Sequence, residues 1–343
     1  SAGPRDLVAA ALLGIGLVAI DVASGASRHR AVLVAAGAAA ACAFALSQRR
    51  RPARFALLSL ALVVVPEAAA AFDGSAVRTR SFFGVHRVLT RGGGATHVYA
   101  QGTTIHGLQH RARDRARVAG AYYHASGPAA DVLGRARAAR VGLVGLGVGS
   151  LAAYAEAGQR FVFYEIDPAV RAIAEDPALF SFLSDARGRG AEVEVVLGDA
   201  RLTLARAEPA AFDLLVLDAY SSDMVPVHLL TREAFATYLT RLAPRGVMLL
   251  NVTNRYLDLG PVVAAIARDL GLDGRERADA ASEADAARDG KARSRWLVLG
   301  RADAGALEGL GLGPAWTALP PPAARAWTDD RASVLGAVKL GAP

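Results

Sequence analysis

Cysteine occurs once in the 343 residues, at Cys42 inside an apolar run, so the chain can build neither an internal disulfide nor a cysteine-based zinc site. Lysine is almost as scarce: Lys291 and Lys339 are the only two, and arginine carries the rest of the positive side chains. The net charge of +7 is scattered through alanine-rich sequence without a clustered basic stripe, which argues against a phosphate-tracking surface and against nucleic acid as a partner. No metal-ligand spacing connects His106 and His124. The stretch "GLGVGS" at 145–150 has no glycine at the third position of a GxGxxG turn, which favours a mononucleoside over a nicotinamide dinucleotide.

Apolar residues, in contrast, are abundant. They make up 53% of the chain and give a mean hydropathy of +0.27, so a membrane part joined to a charged, soluble part is the first expectation. Apolar runs at 7–20, 31–46 and 55–65 are each shorter than the ~20 residues that cross a bilayer, although flanking small residues extend the first two. The competing reading is three buried helices of a soluble protein. The arginines of "RRRPAR" at 49–54 outnumber those of "RHR" at 28–30, which by the positive-inside tendency puts the second loop and the N-terminus in the cytoplasm. The expectation is two or three helices at the cell membrane, in contact with lipid, with the rest of the chain facing the cytoplasm. No small-residue cleavage site follows a short apolar core, so a signal peptide is not expected. The first residue is not methionine, as in a truncated or processed chain.

Beyond residue 72 the texture becomes "TRSFFGVHRVLTR" and "ATHVYAQGTTIHG" around Gly92, Gly93 and Gly94, short alternating segments bounded by a flexible turn, as in a β-hairpin. From Arg140 the segments "RVGLVGLG", "RFVFYEID", "AEVEVVLGD", "FDLLVLDAY" and "GVMLLNVT" alternate with helical ones, which predicts an α/β fold with a doubly wound, largely parallel sheet. The division expected is membrane helices over 1–73, a small β-hairpin domain over 74–135, a Rossmann-like nucleoside-binding domain over 136–300 and a tail over 301–343.

Such sheets bind ligands at the carboxyl ends of their strands, and each candidate stands at one. Gly145, Gly147 and Gly149 end the first strand, allowing close backbone approach. Glu165 ends the second, roughly 20 residues on, where an acid can accept from both ribose hydroxyls. Asp199 ends the third, placed to accept from an adenine amine and to cap the next helix. Asp218 ends the fourth with Asp223 just beyond, two carboxylates suited to binding or deprotonating a cationic amine. His106 and His124 are second-tier candidates for bases, more naturally structural hydrogen-bonding residues.

Together "RSFFGVHRV", "GTTIHGLQ", "AYYHASGP", "FYEIDP", "LGDAR", "LDAYSSD" with "PVHLLTREAF", and "WTDD" resemble the spermidine synthase (polyamine aminopropyltransferase) family, in particular its membrane-fused bacterial relatives. The resemblance spans residues 80–272 and implies a small β domain before a class I methyltransferase-like fold, binding decarboxylated S-adenosylmethionine or S-adenosylmethionine as co-substrate, without a metal. It implies that Glu165 holds the ribose, Asp199 the adenine, and that Asp218, assisted by Asp223, orients and deprotonates the attacking amine or polyamine. Gln109 and Tyr123 would line the mouth near the sulfonium side chain, and a homodimer is the candidate assembly. One departure stands out: the family carries an aspartate inside the glycine loop, in a "GGGDGG" pattern, where this chain has Val148.

The leading expectation is thus a membrane-anchored enzyme of polyamine biosynthesis that moves an aminopropyl group from the sulfonium nucleoside to an amine. The alternatives are use of intact S-adenosylmethionine, as a methyltransferase or as a lyase or cyclase releasing methylthioadenosine, and a non-catalytic membrane-tethered nucleoside sensor. In the tail, "ERADAASEADAARDGKARSR" reads as a solvated loop or exposed helix, "RWLVLG" as a further strand, and Thr328 or Asp329 as the cap of a short helix including Asp330.

Overall fold

The computed structural model describes residues 30–71, 75–102, 104–220, 226–323 and 325–339, together with Pro4, Asp6, 8–13 and Gly16. It divides into two compact units, Ser1–Ser75 and Ala76–Pro343.

The first unit holds two helices, α1 (Arg30–Ser47) and α2 (Pro52–Ala71). Ala45 and Leu58 pack with Ala10 in a small cluster, and Arg54 pairs with Asp6 at 2.6 Å. The expected membrane crossing is corrected here: among the described residues no helix is long and apolar enough to cross a membrane. The 18 residues of α1 extend about 27 Å at ~1.5 Å per residue, less than the ~30 Å of a hydrocarbon core. In α2 the apolar run is confined between an ion-paired arginine and the Pro66-Glu67 pair of the sequence. The expected localisation at the membrane, with the rest of the chain facing the cytoplasm, falls with it. The first apolar run, 7–20, lies partly outside the described residues.

The second unit begins with an antiparallel four-stranded sheet in the order β1 (Ser75–Ser81), β2 (Gly84–Arg91), β3 (Thr96–Gln101), β4 (Thr104–His110). The hairpin read from the glycine triplet is present, with Gly92, Gly93 and Gly94 all at positive φ between β2 and β3.

After α3 (Pro128–Ala136) the chain builds an eight-stranded sheet. Its strands are β5 (Arg140–Val144), β6 (Arg160–Glu165), β7 (Glu192–Leu197), β8 (Phe212–Leu217), β9 (Leu242–Asn251), β10 (Leu272–Asp279), β11 (Ser294–Arg301) and β12 (Thr317–Ala318), in the order β12-β10-β11-β9-β8-β5-β6-β7. The five strands β9-β8-β5-β6-β7 run parallel, and β11 enters antiparallel beside β9, so the sheet is mixed. The connecting helices are α4 (Pro168–Glu175), α5 (Phe182–Gly188), α6 (Ala200–Leu204), α7 (Arg232–Arg241), α8 (Gly260–Asp269) and α9 (Glu283–Asp289).

Successive side chains on a strand point to opposite faces, and the central strands sort their residues accordingly. Leu143, Phe161, Phe163, Leu214, Val216, Leu249 and Trp296 join one core, while Val144, Val162, Leu215, Leu217, Met248, Leu250 and Leu297 join the other. Both faces are buried, which explains why these strands read as continuous apolar runs. The tail contributes more order than its composition suggests. The charged stretch forms the end of β10, all of α9 and the approach to β11. Near the C-terminus Thr328 and Asp329 start no helix. Asp329 instead takes Arg201 at 2.7 and 2.5 Å and Thr231 at 2.8 Å, and the Arg201 guanidinium holds its carboxyl down to about 2.

The ends of β5 and β8 approach closely at Gly145. Its φ is +97°, and a Cβ there would lie 2.3 Å from the carbonyl oxygen of Asp218. Gly145→Ala is expected to cost at least about 2 kcal/mol from left-handed strain and the clash. Gly134→Ala, inside α3 with open space around it, is expected to add about 0.5–1 kcal/mol by raising helix propensity. Chemical denaturation of both variants checks the pair.

Candidate functional site

A cavity of about 1180 Å³ opens over the carboxyl ends of the parallel strands and is roofed by the small β-sheet and the tail. Gly145, Gly147, Glu165, Asp199, Asp218 and Tyr123 all line it. Six candidates drawn from five separate stretches of sequence therefore converge on one space.

Glu165 is buried, and its carboxylate accepts from the backbone N–H of Leu146 at 3.1 Å and of Asp167 at 2.9 Å. Burial raises its pKa, and these backbone bonds oppose the rise. Each oxygen keeps lone pairs beyond those two bonds, so a diol can still be accepted. Asp199 caps α6 through Arg201 N–H at 2.9 Å and Leu202 N–H at 3.2 Å, leaving its other oxygen 3.0 Å from Nε2 of His228. His228 also lines the cavity.

Asp218 stands at the centre. Its Oδ2 accepts from the Tyr123 hydroxyl at 2.6 Å and its Oδ1 from the Asn251 amide at 2.8 Å. The Tyr220 hydroxyl donates to the Asn251 carbonyl, and the Tyr154 hydroxyl to the Tyr123 carbonyl, so both donors are themselves held. Desolvation pushes the Asp218 carboxyl up to about 6 against the two hydrogen bonds that favour its charged form. Tyr123 and Tyr220 are raised well above the ordinary phenol range, chiefly by burial and next by the Asp218 charge. Tyr123 therefore stays protonated and can only donate. A carboxyl titrating near neutral pH, within a ligand-sized cleft, can accept a proton from a neighbouring ammonium.

Two expected site residues lie elsewhere. Gly149 is at φ +76°, with its Cα face against Leu183, 2.7 Å from where a Cβ would sit, and it is not among the lining residues. Its role is helix packing. Gln109 is buried and fully used: its amide donates to Ala116 at 2.8 Å and Ser181 at 2.9 Å and accepts from Ser181 N–H at 2.7 Å. Polar residues that this sheet does present to the cavity include Gln101 and Thr104. Asp223 lies outside the described residues. His106 lines the cavity, whereas His124 is tied to Asp289 at 3.1 Å and Ser126 at 2.9 Å. Among the described residues no cluster of three metal-ligating side chains occurs.

Val148 is fully buried and faces β4, where its Cγ2 would be 2.5 Å from a Cβ on Gly107. It is an apolar joint between the glycine turn and the small sheet. A further hydrogen-bonded chain, largely buried, has no signal in the linear sequence. Ser81 donates to Asp167 at 2.5 Å, His86 lies 3.0 Å from Asp167 and 2.8 Å from Ser81, and the His86 Nδ1 is 2.8 Å from the Tyr99 hydroxyl. It pins β1, β2 and β3 onto the residue after "EI" at the end of β6, and only the fold brings its members together.

No family model matches the chain. The polyamine aminopropyltransferase of Vibrio vulnificus strain CMCP6 is 34% identical over 119 residues, 33% of this chain and 37% of its own length. This chain thus spans little more than a third of that curated relative in the matched region. A probable spermidine synthase from Corynebacterium glutamicum superposes with a TM-score of 0.53 at 14% identity, covering 75% of this chain and 98% of that one. The spermidine synthase of Thermotoga maritima gives a TM-score of 0.47 at 14% identity over 66% and 72% of the two chains. A segment of the chain is thus similar in sequence to a polyamine aminopropyltransferase, and its α/β fold is that of a spermidine synthase-like structure.

Proposed function

We propose that the chain is a transferase that moves an alkyl group, aminopropyl in the leading form, from a sulfonium nucleoside such as decarboxylated S-adenosylmethionine to an amine nitrogen. The observation that carries the reading is Asp218, a carboxylate raised to about 6 and fixed by Tyr123 and Asn251 at the middle of the strand ends. The sulfonium is its own leaving group, so the protein's work is alignment and proton acceptance. Glu165 and Asp199 fit the ribose and the adenine amine of such a nucleoside, on the β6–β7 side of the cavity. Asp218 takes the proton of the incoming ammonium and holds the nitrogen in line, with Asp223 as its proposed assistant. The named activity of the Vibrio relative points the same way.

One observation favours a second reading. Val148 turns into the protein rather than toward the ligand, so the glycine loop offers no carboxylate to grip an aminopropyl ammonium. Nothing at that point repels the carboxylate of intact S-adenosylmethionine either. Methyl transfer, or release of methylthioadenosine without an acceptor, then uses the same cleft.

Product analysis by mass spectrometry with each donor, with and without an amine, separates these. A new alkylated amine is expected; methylthioadenosine formed without acceptor indicates lyase or cyclase chemistry, and no turnover with either donor contradicts the proposal. Asp218→Asn is expected to lower kcat/KM by roughly 10²–10⁴-fold while nucleoside binding, followed by calorimetry, is retained.

The pH dependence has a defined sign. Asp218 must be ionised to accept a proton, so kcat/KM rises with an acid limb near pH 6. Removing the Tyr123 donor in Tyr123→Phe takes away a bond to the charged form and moves that limb to higher pH. For stability the sign is opposite. A carboxyl raised in the folded state stabilises below the ordinary carboxylate range, and this contribution is lost as pH rises through about 6. Asp218→Asn flattens thermal stability between about pH 4 and 6.

A further inference from the structure

The two halves of the cavity differ in charge. Over β6 and β7 its wall carries Glu165, Asp167 and Asp199. Over β8, β9 and β11 the only carboxylate among the described lining residues is Asp218, and the cations are Arg255, Lys291, Arg293, Arg295 and Lys339. Both lysines of the chain are here. Several of these charges are already answered. Arg295 pairs with Glu276 at 2.5 Å and Asp258 at 2.6 Å, and the buried Lys291 pairs with Asp279 at 3.0 Å and donates to Ser126. Arg293 makes no hydrogen bond or ion pair among the described residues. The Lys339 ammonium donates to the Asn254 carbonyl at 2.7 Å and meets no carboxylate among the described residues.

The backbone fixes this wall beside the proposed base. Ala121 and Lys291 form a parallel bridge, closed by Ala121 N–H to Gly290 O at 3.0 Å and Ala292 N–H to Ala121 O at 2.9 Å. Tyr123, which donates to Asp218, follows Ala121 by two residues, and Arg293 follows Lys291 by two. On β9, Asn251 joins Asp218 and pairs with Trp296 of β11.

Resting on the alkyl-transfer reading above, we infer that the acceptor is an amine that also bears an anionic group, and that Arg293, with Lys339, receives that group while Asp218 receives the amine's proton. A guanidinium with free donors matches a carboxylate or phosphate in a two-pronged arrangement. A diamine would direct its second ammonium at the same cations. In the step, the nitrogen lone pair bonds to the alkyl carbon while that carbon's bond to sulfur breaks, its electron pair staying on sulfur as a neutral thioether. The proton leaving nitrogen goes to Asp218.

The test compares 4-aminobutanoate with 1,4-diaminobutane, equal in chain length and nucleophile and differing at the far end, using the full chain with each sulfonium donor. The wild type is expected to favour the aminocarboxylate by roughly tenfold or more in kcat/KM. Arg293→Glu is expected to erase or invert that preference, Arg293→Lys to retain part of it, and Lys339→Gln to weaken it less. Calorimetry of 4-aminobutanoate in the presence of methylthioadenosine is expected to show the same order without turnover. Equal or better use of the diamine, unchanged in Arg293→Glu, overturns the inference and leaves alkyl transfer standing. Absence of any product with both amines and both donors overturns the alkyl-transfer reading itself. Arg293 is exposed and unpaired among the described residues, so its substitution leaves the fold intact, and retained far-ultraviolet circular dichroism verifies that.

Discussion

Everything proposed for this cleft depends on how one carboxylate is held. Asp218 ends β8 where the neighbouring β5 turns away at Gly145, and only a residue without a Cβ permits that approach. Burial alone would neutralise the group, whereas the Tyr123 and Asn251 donors preserve a charged form near neutral pH. The balance between desolvation and two hydrogen bonds makes a proton acceptor out of what would otherwise be a strand-end cap. Tyr154 and Tyr220 support the two donors from behind, so the geometry is over-determined by contacts from separate stretches of the chain.

The sheet then divides the labour. Parallel strands reverse their direction of succession between β5 and β8, and the crevice there is the natural ligand site of such folds. On one side lie acids suited to a nucleoside; on the other lies a cationic wall built from the approach to β11 and from the tail. The small β-sheet is anchored over the first side through the half-buried Ser81 and the buried His86, Tyr99 and Asp167.

The sheet and its strand-end acids were legible because burial on both faces forces long apolar runs, and a ligand cleft forces polar residues at their ends. Glu165, Asp199 and Asp218 follow from that rule, and Gly145 and Gly147 from the turn. What a linear pattern does not encode is which way a turn residue faces. Gly149 and Val148 sit in the same loop as the lining glycines and point into packing. Gln109 is spent on Ser181 from a strand position where its partner is 72 residues away. Asn251 had a readable signal, being the polar end of "GVMLLNVT", while Arg293 and Lys339 acquire meaning only from the tail's path. Composition alone makes the apolar N-terminal runs look like membrane spans, yet among the described residues no helix is both long and apolar enough to cross.

The central claim is the charge state of Asp218, and it can be observed without substrate. Carbon-13 NMR titration of the aspartate carboxyl carbons in the full chain, with Asp218→Asn used to assign the resonance, is expected to show one carboxyl titrating near pH 6. An Asp218 resonance that titrates in the ordinary aspartate range, near ~4, would contradict the account.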